Sequence, residues 1–220
     1  MVGLVGVLSG QRTNALVMNC TLKENNQPAF YAQNQQAWHD WLADHHDLAD
    51  HVWLIIYKKD SYVPSVYYPE AVDEALCNGW IDSKPNTRDE KSYFQFFAPR
   101  NPKSNWSKVN KQKVERLCQE GRMTPAGLAL IEQAKQNGSW NALDEVDNLV
   151  VPEDLQEALE KTAQAKRYFD DFPPSSKKTI LEWIYNAKRA DTRKKRITET
   201  AKLAGENIRA NHYRQPNYLK

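Results

Sequence analysis

The stretch HVWLIIYKK, residues 51–59, constrains the fold of this chain more than any other. Side chains alternate along an extended strand, so Val52, Leu54 and Ile56 point to one side and Trp53, Ile55 and Tyr57 to the other. A strand that is apolar on both faces must be covered on both. It therefore belongs at the centre of a sheet and should be its most buried member.

The flanking segments supply the rest of that sheet. AFYA at residues 29–32 reads as a short extended piece, after which Asn34 can cap a helix with Trp38, Trp41 and Leu42 on one face. In YPEAVDEALCNGW, Pro69 suits the first helical position, Val72 and Leu76 make an apolar stripe, and Gly79 can take the left-handed conformation that stops a helix. WIDS and KSYFQFFAP are then two strands around the turn-prone KPNTRDE, a hairpin whose mobile tip, Asn86 to Asp89, should be exposed. About four strands result.

After Pro99 and Pro102 the pattern turns helical. One helix places Trp106, Val114, Leu117 and Cys118 on roughly one face and stops at Gly121; in the next, Thr124 caps, Pro125 leads, Leu128 and Ile131 face inward, and Gly138 ends it. NALDEVDNLVVP reads as a loop anchored by Leu143, Val146 and Leu149. Beyond Pro152 three helices are expected. Leu155 and Leu159 start the first, Ile180, Trp183, Ile184 and Ala187 mark the second, and Asp191 caps a third containing Ile197, Ala201, Ala204 and Ile208. The fold class is α+β, a small antiparallel-type sheet with helices followed by an all-α three-helix part. The domain reading is 1–24 extension, 25–142 α+β, 143–212 helical and 213–220 tail.

Composition narrows the class of protein. At 220 residues with 26% charged and only eight Gly, the chain can fill a core and is neither disordered nor fibrous. Cys20, Cys77 and Cys118 lie far apart and form neither a paired metal signature nor a disulfide framework, which fits a reducing cytoplasm. The opening MVGLVGVLSG has no basic residue before it and is interrupted too early for a signal-peptide core, and no later stretch reaches about 20 apolar residues. Neither export nor membrane insertion is expected. Residues 151–220 carry 15 Lys and Arg against 10 Asp and Glu, a local +5 densest in AKRADTRKKR, while the first 150 residues carry 15 against 18. A solvated helix face accounts for that run, and an anionic ligand or nucleic acid is the alternative.

The motifs EALCNGWIDS, FAPRNPKSNWSKVN, GRMTPAGLALIEQAKQNGSW, VPEDL and AKRADTRKKRI, in this order, resemble the bacteriocin-protection family also called YdeI/OmpD-associated. The resemblance runs from about Phe30 to Ile208. It implies a soluble bacterial protein linked to bacteriocin or antimicrobial-peptide protection, with no mechanism attached. Residues 1 to about 24 fall outside it, so Met18 is a second candidate start.

The first candidate site joins Trp80, Asp82, Ser83 and Lys84, after the helix stop, to Arg100, Lys103, Ser104, Asn105, Trp106, Ser107 and Asn110, before the next helix. Unpaired N–H groups at a helix start, with Arg, Ser and Asn, suit a small anionic or planar ligand. Ordinary capping, a core Trp and an Arg100–Asp82 strut account for the same residues. His39, His45, His46 and His51 have no ligand spacing between them; they read as surface or packing residues, and no metal or cofactor is expected. Thr192, Arg193, Lys195 and Arg196 crowd a helix start, where cations are disfavoured, so a compensating partner is expected, acidic residues of the first domain or phosphate.

No nucleophile elbow, phosphate loop or dinucleotide pattern is present, and Asp82, Asp89 and Glu90 are the one carboxylate group that offers acid–base chemistry, in a hairpin turn. The residues therefore favour a non-catalytic cytoplasmic protein binding a small ligand or a protein partner. The rival readings are a nucleic-acid module using the basic C-terminal helices and an enzyme for a small anionic substrate.

Overall fold

A computed structural model describes residues 28–211. The N-terminal extension, Met18, Cys20 and the 213–220 tail lie outside the described residues. Within them the chain divides into two compact units, one comprising residues 28–101 and 114–130, the other 102–113 and 131–211.

The first unit is built on a four-stranded sheet of order β1-β2-β4-β3, with β1 Ala29–Tyr31, β2 Val52–Tyr57, β3 Trp80–Thr87 and β4 Ser92–Pro99. β2 is central, as its two apolar faces require, and Val52 to Ile56 are all buried. The sheet departs from an all-antiparallel one at β1, which pairs with β2 in parallel, Phe30 opposite Leu54. A parallel neighbour needs a crossover, and α1, Gln35–His45, supplies it.

Asn34 caps α1, its side chain accepting from the Ala37 N–H at 2.9 Å. Trp38 and Leu42 are fully buried, and the Trp38 ring lies 5.3 Å from Phe97. The Trp38 indole N–H donates to the Ala71 carbonyl at 3.0 Å, fastening α1 to α2, Tyr68–Cys77. Trp38, Leu42, Val52, Leu54, Ile56, Leu76 and Val114 are all buried in this unit.

The hairpin departs from its expected form. β3 continues through Lys84, Pro85, Asn86 and Thr87, four residues read as turn, and its pairing with β4 shifts register between Asp82 and Pro85. β3 is an edge strand, and an edge tolerates a proline that has no N–H to give. Nor is all of the tip exposed. Arg88 is half-buried, with Nη1 donating to the Tyr57 hydroxyl at 3.2 Å and the Ser92 hydroxyl at 3.0 Å, and Asp89 accepts from Ser92 at 2.8 Å.

Two helices run across both units: α3, Lys108–Gln119, and α4, Pro125–Gln136. In α3 Val114 and Leu117 are buried three residues apart, but Cys118 is exposed, and Trp106 precedes the helix instead of sitting on its face. In α4 the buried face is Gly127, Ile131 and Ala134; Leu128, expected inward, is rotated about 100° from it and is exposed.

The second unit is helical. The region expected to hold a loop and three helices contains, among the described residues, α5 Asp144–Asp147, α6 Glu153–Glu160, α7 Ala163–Asp171, α8 Pro174–Tyr185 and α9 Ala190–Gly205. Thr162, in an extended conformation, breaks the first expected helix in two, and Phe172, forced out of the helical region by Pro173, ends it where the next expected helix begins. Leu155, Leu159, Phe169, Ile180, Ile184 and Ile197 centre one core. Arg189 occupies the position before α9, so Asp191 lies inside the first turn instead of capping it.

Candidate functional site

Gly79, at φ +74, turns the chain from α2 into β3 and fixes where the next residues point. Trp80 goes into the core: it is 1% exposed, its indole N–H donates to the His46 carbonyl at 2.9 Å, and its ring meets Trp41 edge-on at 5.9 Å. Asp82, two residues on and on the same face, is half-buried and accepts the Tyr68 O–H at 2.8 Å. Burial first, then that bond to Asp82, pushes the Tyr68 hydroxyl up to about 12.

Arg100 follows β4, and its N–H donates to the Gly79 carbonyl at 2.9 Å, so the strand pairing returns it to the turn that launches β3. Its side chain is buried. Burial lowers the guanidinium to about 10, against the opposing pull of the Asp82 carboxylate. Tyr68, Asp82 and Arg100 thus come together at the base of the hairpin. Ser83 and Lys84 are exposed in the bulge; the Ser83 carbonyl accepts from Gln95 at 3.3 Å, and the Lys84 ammonium lies 5.9 Å from the Trp53 ring.

The second tract falls in the other unit. Trp106 is buried, its N–H donates to the Ser139 carbonyl at 3.2 Å, and its ring is 5.0 Å from Trp140. The Asn105 amide donates to Asn186 at 3.0 Å. Ser107 performs the capping, its hydroxyl accepting the Asn110 N–H at 3.3 Å, and Ser104 is half-buried just before it.

The basic run also finds its partner inside the helical unit. Arg193 forks onto Asp154 of α6, Nε to Oδ2 at 2.7 Å and Nη2 to Oδ1 at 2.9 Å. That hydrogen bonding holds the Asp154 carboxyl below its usual range and raises Arg193. The compensating acid was expected from the first domain; it is instead Asp154, on a neighbouring helix of the same unit. Arg196 bonds the Trp183 carbonyl and lies 5.0 Å over its ring, and Thr192 is half-buried. On the outer side Lys194, Lys195 and Lys202 alternate with Asp191, Thr198 and Glu199 along an open depression.

An ionic network among the described residues of the first unit escaped the sequence. Glu74, with 6% of its side chain exposed, accepts from Gln35 at 2.6 Å and Arg122 at 2.6 Å and meets His39 Nδ1 at 2.9 Å. Arg122 continues to Glu120 at 3.0 Å, Glu120 accepts from Arg116 at 2.9 Å, and Arg116 reaches Asp73. Its sequence signals are the adjacent acids Asp73 and Glu74 and the i,i+4 spacing of Arg116 and Glu120. Burial, before any charge, pushes the adjacent Cys77 thiol up to about 12, which disfavours the thiolate. His45 and His46 bond carbonyls one turn back, at 2.8 and 2.9 Å, and His51 stacks on Phe96 at 5.3 Å. Among the described residues no three His, Cys, Asp or Glu side chains gather as metal ligands, and no helix is long and apolar enough to cross a membrane.

Two stretches match known protein families. Residues 148–207 match the family described as bacteriocin-protection, YdeI or OmpD-associated, and residues 30–130 match a domain of unknown function (DUF8412). The resemblance traced from Phe30 to Ile208 is therefore carried for the first family by the helical stretch, whereas EALCNGWIDS and FAPRNPKSNWSKVN fall in the second. No curated protein and no solved structure matches the chain.

Proposed function

We propose that this protein contributes to bacteriocin or antimicrobial-peptide resistance as a non-catalytic, cytoplasmic binder of a small ligand or a protein partner. The observation that carries the resistance reading is the match of residues 148–207 to the bacteriocin-protection family. The binding reading rests on the base of the hairpin, where the half-buried Asp82 carboxylate, the Tyr68 hydroxyl and the buried Arg100 guanidinium converge beside exposed Ser83 and Lys84. Buried, hydrogen-bonded polar groups next to exposed ones suit an anionic or planar ligand.

Two measurements test the proposal. Cells lacking the protein should become more sensitive to a cationic antimicrobial peptide and recover with the full chain; unchanged sensitivity would sink the resistance reading. A thermal-shift screen of anionic metabolites should find a ligand that raises the melting temperature. Tyr68→Phe and Lys84→Ala should remove that rise while changing unliganded stability by no more than about 0.5 kcal/mol, the usual range for exposed positions. Retention of the shift in both variants would remove this site. Binding to unrelated DNA that falls steeply with salt would favour the basic-helix reading, which the Arg193–Asp154 pair and the alternating charges of α9 speak against.

A further inference from the structure

We draw no further inference here: the strongest candidate, the aromatic face of the sheet formed by Tyr31, Trp53, Tyr57, Phe94 and Phe96, carries none, because beyond the Lys84, Arg88 and His51 side chains that lie against it nothing among the described residues shows what covers it.

Discussion

Glu74 sits on a helix in which every residue from Ala71 to Cys77 is buried, so its carboxylate meets Gln35, His39 and Arg122 in place of water. Losing one partner of a buried pair leaves an uncompensated charge, whereas replacing both with apolar groups removes the need for one. Arg122→Met should therefore cost about 3–5 kcal/mol in urea denaturation. The double variant Glu74→Met/Arg122→Met should recover part of that loss; additive losses would show that the two side chains are not coupled. A carboxylate can only accept, so Nδ1 of His39 should carry a proton toward Glu74, which nitrogen NMR can read. The long-range part of this was not legible in the sequence, because Arg116 and Arg122 lie 43 and 48 residues from Asp73 and Glu74. Leu54 was legible, since a strand apolar on both faces has one place to go. Leu54→Ala should cost about 2–5 kcal/mol.

At the scale of elements, the end of α2 is held by the start of α4. Thr124 donates from both its hydroxyl and its N–H to the Cys77 carbonyl, at 2.7 and 3.1 Å. The approach is close enough that a Cβ on Gly127 would lie 2.3 Å from that carbonyl oxygen. Alanine would gain about 1 kcal/mol of helix propensity, but the obstacle is backbone and cannot swing aside. Gly127→Ala should lower stability by about 1–3 kcal/mol, and a raised melting temperature would show that the helices part easily. The caps Asn34 and Thr124 were readable because capping is local; the contact at Gly127 joins elements distant in sequence. The α6–α9 tie makes a pH prediction. The folded Asp154 carboxyl is depressed, so its contribution is present above the unfolded value near 3.9 and is lost as pH falls through the folded one. Asp154→Asn should flatten the fall in stability below about pH 4, by no more than about 1 kcal/mol for a half-exposed pair.

At the scale of the molecule, the α+β class followed from periodicity, while the number of C-terminal helices did not. Thr162 breaks a helix with no proline or glycine beside it to announce the break. The proposed division into 25–142 and 143–212 can be tested by expressing 143–212 alone. That fragment lacks Lys111, which pairs with Asp144, and Asn105, which bonds Asn186, so it should melt below the same helices in the full chain. An unchanged midpoint would establish 143–212 as autonomous.

The chain passes between its compact units after residues 101, 113 and 130, and the last two passages fall inside α3 and α4. For a gene that recombines by exchanging contiguous segments, this threading is a barrier. A crossover that imported a foreign copy of residues 148–207 would leave Trp106 and the rest of 102–113 behind with the old gene. A chain that carried the helical segment on a different N-terminal partner would therefore need a substitute for that short stretch.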